Sequence, residues 1–224
     1  MKIRTEALTK TYNLGSSRIT ALDNVNFEVN EKAFTVIVGR SGSGKSTLLS
    51  LIGLNDVPTS GRVLVDDIDA SKCSGGERRK IRLHHMGFVF QTFNLLPTLN
   101  AVENVELPMA LAGKASKEQR EKATKLLEIV GLGNRLLHRP KQLSLGEMQR
   151  VAIARALAND PEVIIADEPT GELDSKTAKE VIALLLGISR EEKKTVIVAT
   201  HDEKMVEMAD IIYTIEDGRL KLEN

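Results

Sequence analysis

The sequence has only one cysteine and no excess of either charge. A single thiol, Cys73, excludes an internal disulfide framework and is typical of a reducing compartment such as the cytosol. Lysine plus arginine number 31, and aspartate plus glutamate also number 31, so the chain lacks the net basic field that favours nucleic acids. The composition therefore argues against a disulfide-stabilised secreted protein and against a nucleic-acid partner.

Long apolar runs are also lacking. No stretch reaches the ~18 consecutive apolar residues that a membrane-spanning helix needs, and residues 1–10 lack the apolar core of an export signal. The nearest candidate is the uncharged run 86–102, which several poorly membrane-soluble residues interrupt: Gln91, Asn94, Pro97 and Asn100. We expect a soluble chain in which this run forms an exposed patch that a partner covers.

Strand-like and helix-like segments alternate along the chain, which is typical of an α/β fold. Four short apolar runs predict parallel strands buried on both faces: FTVIVG (34–39), VIIAD (163–167), TVIVAT (195–200) and IIYTI (211–215). Two other runs alternate between apolar and polar residues and predict a half-exposed antiparallel sheet: VNFEV (25–29) and GRVLVDD (61–67).

The middle of the chain is predicted to be helical. A capping box of Ser116 with Gln119 predicts a helix start. An apolar stripe then follows on one face of that helix: Ala123, Leu126, Leu127 and Val130. The turn signal GLGN (131–134) ends the helix, and a second helix is predicted from Ser144 to Ala158.

These segments predict one domain with an insertion, and the sequence contains no internal repeat and no low-complexity tract. Residues 92–158 form the expected helical subdomain. The expected α/β core consists of residues 1–91 and 159–224.

A glycine-rich loop follows the first apolar strand. The stretch GRSGSGKST (39–47) fits G-x-x-x-x-G-K-[ST] between a strand and a helix, the context that this phosphate-binding motif requires. The backbone N–H groups would surround phosphate oxygens: Gly39, Arg40, Ser41, Gly42, Ser43, Gly44, Lys45, Ser46 and Thr47. Lys45 would reach the β- and γ-phosphates, and the Ser46 hydroxyl would ligate Mg²⁺. The alternative, a glycine-rich turn that only resembles the motif, fits the flanking strand and helix less well.

Two carboxylates end a later apolar strand. Asp167, the last residue of VIIAD, matches the second acidic motif of such NTPases and is expected to hold Mg²⁺. Glu168 follows directly and could accept a proton from the attacking water, a contribution of roughly 10²–10⁴ in rate. The alternative for Glu168 is an exposed acid in a loop. The pair predicts hydrolysis of a nucleoside triphosphate rather than binding alone.

With Gln91, the Ser144 stretch, DEPTGELD (167–174) and His201 in this order, the chain resembles the nucleotide-binding subunit of ABC transporters. Within that family it is most similar to the macrolide- and lipoprotein-export group, because of GFVFQTFNLLPTLNAVENVELPM (87–109) and PTGELDSKT (169–177). The resemblance covers nearly the whole chain. It implies a P-loop NTPase core, with a RecA-like parallel sheet, an N-terminal antiparallel β-subdomain and an inserted α-helical subdomain.

The resemblance also implies roles for single residues. Tyr12 matches the aromatic residue that stacks on adenine, with a half-buried strand tyrosine as the alternative. Gln91 matches the glutamine that ligates Mg²⁺ and senses the γ-phosphate. Asp174 matches the aspartate of a loop that crosses a dimer interface. His201 matches the histidine that contacts the γ-phosphate and orients the water.

The stretch LSLGEMQR (143–150) matches the signature that completes the ATP site of an opposite subunit. Ser144 is a good N-cap with Glu147 three residues later, so a capping box is predicted, and a helix N-terminus attracts anions. The family has glycine at both positions after the serine. Here Leu145 replaces the first glycine, without backbone strain at the first helical position, and Gly146 keeps the second.

A second stretch, CSGGERRK (73–80), contains the same Ser-x-x-Glu box but precedes Gln91 rather than the Asp167 strand. We interpret it as the start of a surface helix. Its basic residues form a solvated face, with lipid-headgroup contact as the alternative: Arg78, Arg79, Lys80 and Arg82.

The resemblance implies a cytoplasmic ATPase subunit, peripheral on the inner face of the membrane, that dimerises around two Mg-ATP. It would drive membrane-spanning permease subunits on separate chains, which would dock beside Gln91 at TFNLLPTL (92–99). One rival is a mechanical signalling ATPase of the cell-division type, which acts on a membrane partner without moving a solute. The other is a DNA-repair ATPase, but the long heptad helices of that family are missing from the sequence.

Overall fold

The structure is a computed structural model that describes residues 1–15 and 17–223. Ser16 and Asn224, which fall inside the predicted core segments, lie outside the described residues. The strands are β1 (Ile3–Leu14), β2 (Ser17–Val29), β3 (Phe34–Val38), β4 (Ser60–Val65), β5 (Ile68–Asp69), β6 (Met86–Phe90), β7 (Val163–Asp167), β8 (Thr195–Ala199), β9 (Ile211–Glu216) and β10 (Arg219–Leu222). The helices are α1 (Lys45–Ile52), α2 (Gly75–His85), α3 (Ala101–Leu111), α4 (Ser116–Ile129), α5 (Leu145–Ala156), α6 (Ser175–Arg190) and α7 (Glu203–Glu207).

The larger of the two sheets has the order β10-β9-β3-β8-β7-β6. From β9 to β6 neighbouring strands are parallel, and only the edge strand β10 runs antiparallel to its neighbour β9. All four apolar runs predicted as parallel strands lie in this sheet, and β3, β7 and β8 are buried along nearly their whole length. Because parallel strands end at the same edge, the loops after β3, β6, β7 and β8 meet there.

The smaller sheet is antiparallel, with the order β2-β1-β4-β5. It contains both alternating runs that predicted such a sheet, VNFEV at the end of β2 and GRVLV in β4. Helix α1 lies between the two sheets, since its leucines share one apolar cluster with Phe27 of β2 and Ile37 of β3. Packing of α1 against both sheets fixes the loop that precedes it.

The predicted helical segment holds α3, α4 and α5. Their apolar faces meet in one cluster that includes Val105, Leu127 and Val151. Helix α5 also packs on the large sheet, where Ile153 joins a second cluster with Val89 and residues of α6. We therefore propose that residues 92–158 form one helical subdomain, as the sequence predicts, and that α5 joins this subdomain to the large sheet.

Two details of the predicted helices are wrong. Ser116 is the first residue of α4 rather than its N-cap; Ala115 is the N-cap, and no side chain caps it. Gln119 instead donates its amide to the Lys114 carbonyl at 2.6 Å, so no capping box forms. Helix α5 ends at Ala156, two residues before the predicted Ala158.

Among the described residues, no helix is both long and apolar enough to cross a lipid bilayer.

Candidate nucleotide site

The glycine-rich loop lies at the edge of the large sheet, between β3 and α1. Gly42 and Gly44 have φ angles of 79° and 112°, which L side chains rarely adopt. A Cβ atom at Gly44 would also lie 2.6 Å from the Ala21 carbonyl oxygen, so glycine is required there for space as well. Lys45 follows at the start of α1, and its Nζ donates to the Gly39 carbonyl at 2.7 Å. The loop is therefore wrapped around a buried ammonium group, and binding of phosphate by these residues stays a prediction.

Several predicted residues line one cavity of about 570 Å³, a size typical of small-ligand sites. They come from the loop after β3 and from the ends of β6, β7 and β8: Gly39, Arg40, Ser41, Gly42, Gly44, Lys45, Ser46, Thr47, Gln91, Glu168 and His201. Ser43 is buried on the other side of the loop. A larger cavity of about 740 Å³ lies between β2 and β10, but charged residues of both signs line it and the glycine-rich loop does not.

Glu168 is held between two basic groups. Its Oε1 lies 3.5 Å from Lys45 Nζ, and its Oε2 lies 3.0 Å from His201 Nδ1, close enough for an ion pair when the imidazole is protonated. The residue has a φ of 44°, which costs a non-glycine residue about 1–3 kcal/mol and is common at functional sites. This strain aims a carboxylate that is mostly buried into the cavity.

Asp167 and Ser46 are candidates for holding a metal ion. They line a smaller cavity together, and the Oδ1 atom of Asp167 is buried without a hydrogen-bond partner among the described residues. Burial raises the pKa of the Asp167 carboxyl above its ordinary value, and the neighbouring Glu168 charge adds to this, whereas the Ser46 hydroxyl and Lys45 oppose it. A carboxylate and a hydroxyl are the hard oxygen ligands that Mg²⁺ prefers, so these residues fit that ion.

Gln91 begins the loop after β6 and makes a contact that the sequence did not reveal. Its Nε2 donates to Glu172 Oε1 at 3.0 Å, which ties it to the loop that leads to Asp174. Glu172 lies within DEPTGELD, but no role was predicted for it from the sequence. The contact joins two loops that are far apart in the chain.

Tyr12 does not line the cavity around the glycine-rich loop. It is exposed on β1, where its hydroxyl donates to Asp56 at 3.2 Å and the Lys10 ammonium lies 5.0 Å from its ring centre. Stacking on adenine stays a prediction for this residue. With 37% of its surface exposed on β1, Tyr12 also fits the alternative of a half-buried strand tyrosine, which stays open.

The signature stretch forms the predicted capping box. Ser144 is the N-cap of α5, its Oγ accepts from the Glu147 N–H at 3.2 Å, and Glu147 Oε2 accepts from the Ser144 N–H at 2.8 Å. Leu145 is exposed and helical, so the departure from the family pattern strains nothing. Gly146 is buried.

The four predicted residues at the starts of α5 and α6 do not line the phosphate-loop cavity within this one chain: Ser144, Gly146, Glu147 and Asp174. Asp174 is the N-cap of α6, and hydrogen bonds from Thr177 and Lys176 lower the pKa of its carboxyl. If these residues contact a nucleotide, a second molecule must supply its phosphate loop.

The look-alike stretch also forms a capping box, between Ser74 and Glu77. Its helix α2 has no buried residue, which confirms the surface-helix interpretation. Two of its arginines are bonded rather than only solvated, since Arg78 donates to the Cys73 carbonyl and Arg82 to the Leu54 carbonyl.

Gln149 is another residue that the sequence reasoning missed. Its side chain is fully buried, and Nε2 donates to the Pro169 carbonyl, next to Glu168, at 2.7 Å. The available signal was a polar residue three positions after Gly146, on the face of α5 that packs inward. This bond connects the signature helix to the strand end that carries the candidate catalytic carboxylate.

Comparisons with known proteins agree with this geometry. Residues 22–171 match the family described as ABC transporter. The chain is 45% identical over 211 residues to the lipoprotein-releasing system ATP-binding protein LolD of Hyphomonas neptunium, covering 94% of this chain and 92% of that protein. It is 44% identical over 218 residues to the macrolide export ATP-binding/permease protein MacB of Brucella melitensis, covering 97% of this chain but 34% of that protein. Similarity to the macrolide- and lipoprotein-export group is thereby confirmed.

A solved structure also superimposes closely. It is the dimeric post-hydrolysis state of the ATP-binding cassette MJ0796, bound to ADP and Pi, from Methanocaldococcus jannaschii. The TM-score is 0.93 at 44% sequence identity, with 99% of this chain and 98% of that chain covered. The predicted fold class is confirmed by this match.

Proposed function

This chain belongs to the ABC transporter family, and from that premise we propose that it is the ATP-binding and ATP-hydrolysing subunit that drives separate membrane-spanning subunits. The observation that carries the proposal is the meeting of Lys45, Glu168 and His201 in one cavity. Three loops at the carboxyl edge of a parallel sheet bring together a phosphate-binding cation, a carboxylate and an imidazole. This set suits phosphoryl transfer to water.

The residues divide the work of hydrolysis among them. Backbone N–H groups of residues 39–47 and the N-terminus of α1 bind phosphate oxygens, and Lys45 leaves the Gly39 carbonyl to contact the phosphates. Ser46, Asp167 and Gln91 would hold Mg²⁺, which when bound neutralises negative charge on the phosphates. Glu168 accepts the proton of the attacking water, and His201, whose Nδ1 atom lies 3.0 Å from that carboxylate, contacts the γ-phosphate and orients the water.

We further propose that two copies assemble head to tail around two ATP molecules. In one copy Ser144, Gly146, Glu147 and Asp174 do not line the phosphate-loop cavity, so the N-terminus of α5 is free to bind the nucleotide of another copy. The dimeric form of MJ0796 supports this arrangement. ATP that binds the closed dimer better than the open one would close it, and hydrolysis would reopen it.

We place the membrane partner at a groove beside the loop after Gln91, with the chain on the inner face of the membrane. The groove has a volume of about 370 Å³, and its lining includes three apolar side chains and three arginines: Phe88, Phe90, Leu111, Arg79, Arg82 and Arg155. Within TFNLLPTL, Leu96 is exposed, but Phe93 is buried and Leu95 packs on the helical cluster. The docking surface is thus Leu96 together with this groove, rather than the whole uncharged run.

Steady-state hydrolysis by the purified chain tests the proposal. We expect Mg²⁺-dependent release of phosphate from ATP, and its loss in Lys45→Ala, because that variant lacks the phosphate-binding cation. A matched control is Lys141→Ala, at an exposed position in the helical segment. ATP binding without any hydrolysis, in the presence of Mg²⁺, would contradict the enzymatic part of the proposal.

A further inference from the structure

Gly146 is crowded by a residue of its own chain. A Cβ atom built on Gly146 would lie 2.2 Å from Cγ2 of Thr177, while Cβ and Oγ1 of Thr177 would be at ordinary contact distances of 3.5 and 3.6 Å. In the look-alike box, a Cβ atom on Gly76 would meet only Ser74 Oγ, at 3.9 Å. The two glycines occupy the same position of the same capping motif, yet only Gly146 is required by the space around it.

Thr177 is the third residue of α6 and uses both branches of its side chain. Its Oγ1 donates to Asp174 Oδ2 at 2.6 Å, while Asp174 Oδ1 accepts from the N–H groups of Lys176 and Thr177. The methyl group points at Gly146. A β-branched side chain has a restricted χ1 angle, so fixing the hydroxyl on Asp174 also fixes the methyl group.

Two further bonds hold α5 to the segment that follows β7. Gln149 donates to the Pro169 carbonyl at 2.7 Å, and Arg150 pairs with Glu180 of α6 at 2.8 Å. Together with the Gly146–Thr177 contact, these bonds join the first two turns of α5 to residues 169, 177 and 180. The start of α5 and the start of α6 therefore keep a set spacing within one subunit, close to Glu168.

We propose that Thr177 is a positioning residue that sets the spacing between Ser144 and Asp174, and that residue 146 is glycine because of the Thr177 methyl group of its own chain. This inference rests on the proposed function, in which Ser144 and Asp174 act on the nucleotide of the opposite subunit. The requirement for glycine is then internal to the subunit and does not come from close approach to the phosphate.

Second-site rescue tests the steric half of the proposal. Gly146→Ala should lower turnover by about fivefold or more, because the added methyl group would push the starts of α5 and α6 apart and shift Ser144 from its position. ATP affinity of the monomer should stay unchanged, because the phosphate loop is untouched. Gly146→Ala with Thr177→Ser removes Cγ2 and should restore turnover toward that of Thr177→Ser alone. Gly76→Ala is the matched control and should leave turnover unchanged.

The positioning role of the Thr177 hydroxyl is tested by Thr177→Val, which keeps the shape of the side chain and loses the bond to Asp174. We expect normal ATP affinity but weaker ATP-dependent dimerisation, measured by gel filtration in the Glu168→Gln background, whereas Thr177→Ser, which keeps the bond to Asp174 and lacks only the methyl group, should be impaired less. A double variant as impaired as Gly146→Ala would assign the glycine to the nucleotide, and normal dimerisation of Thr177→Val would remove the positioning role. Failure of the unmodified chain to hydrolyse ATP would instead refute the proposed function.

Discussion

At the residue scale, the candidate site depends on one strained carboxylate. Glu168 has a left-handed backbone conformation and reaches both Lys45 and His201. Parallel strands β7 and β8 end side by side, so Glu168 and His201 meet although 33 positions separate them in the printed sequence. The strain is maintained by the packed sheet on which the residue stands.

Glu168→Gln is expected to abolish turnover while ATP binding persists. The amide keeps the shape of the side chain but cannot accept the proton, so the rate should fall by roughly 10²–10⁴. The variant should also accumulate as an ATP-bound dimer, visible by gel filtration. Glu203→Gln, at an exposed acid on α7, is the control. Near-normal hydrolysis by Glu168→Gln would remove the residue from the catalytic role.

Tyr12→Ala is expected to weaken ATP affinity without changing the rate at saturation. Stacking of an aromatic ring on a base contributes roughly 1–3 kcal/mol in other nucleotide sites. Tyr12→Phe loses only the bond to Asp56 and should be tolerated. Fluorescence titration with a labelled ATP analogue measures the dissociation constant. An unchanged dissociation constant for Tyr12→Ala would show that Tyr12 does not stack on adenine and only makes its contacts to Lys10 and Asp56.

At the element scale, two helices begin with the same capping box and differ in what surrounds them. Helix α2 has no buried residue, whereas α5 is buried along one side from Gly146 to Ala156. A capping box satisfies the N–H groups of its own helix and contains no information about neighbours. Packing against α3, the sheet and α6 therefore decides which N-terminus is held in a defined place.

Ser144→Asp tests whether the N-terminus of α5 faces a phosphate. Aspartate is as good an N-cap as serine, so the helix should persist. Its charge would repel a phosphate in a partly dry interface, which costs several kcal/mol and should weaken ATP-dependent dimerisation by about 100-fold or more. Each monomer should still bind ATP. Ser74→Asp, in the look-alike box, is the matched control, and equal effects of both variants would show that α5 does not hold the nucleotide.

Leu145→Gly is expected to be mild. The leucine is exposed at the first position of α5, so the substitution removes little packing and costs at most about 1 kcal/mol of helix propensity. Turnover should stay the same or rise, because the family pattern is restored. A large loss of turnover with an unchanged unfolding temperature would mean that the leucine contacts the opposite subunit.

At the scale of the whole molecule, the proposed function requires the same chain to serve the nucleotide and a membrane partner. The groove proposed for the partner and the cavity proposed for the metal ion share three lining residues, Asn55, Phe88 and Phe90. The two phenylalanine rings lie 6.1 Å apart and nearly parallel. A partner in this groove would therefore press on side chains that also border Asp167.

Leu111→Ser and Leu96→Ser should each disrupt binding of the membrane partner without lowering ATP hydrolysis by the isolated chain. Both leucines are exposed, so their replacement leaves the core intact. Co-purification with the membrane subunit should be lost, while hydrolysis by the isolated chain stays normal. Leu137→Ser, at another exposed leucine of the helical segment, is the control, whereas Leu95→Ser should destabilise the fold. Retained co-purification of Leu111→Ser would place the partner elsewhere.

The sequence by itself determined the features that depend on a few neighbouring residues. The spacing of Gly39, Gly44, Lys45 and Ser46 requires one backbone path, and runs of apolar residues identify buried strands whatever lies beside them. The capping boxes at Ser144 and Ser74 were likewise readable, because donor and acceptor are three residues apart. Asp167 and Glu168 could be placed at a strand end from the same local pattern.

Only the tertiary structure decided which residues distant in the chain meet. Leu95 is packed and Leu96 exposed, although both stand in one uncharged run. Packed helices bring the Thr177 methyl group against Gly146, and adjoining loops bring Gln91 into hydrogen-bonding distance of Glu172. Such contacts arise from the summed packing of the whole chain, which no short window of sequence contains.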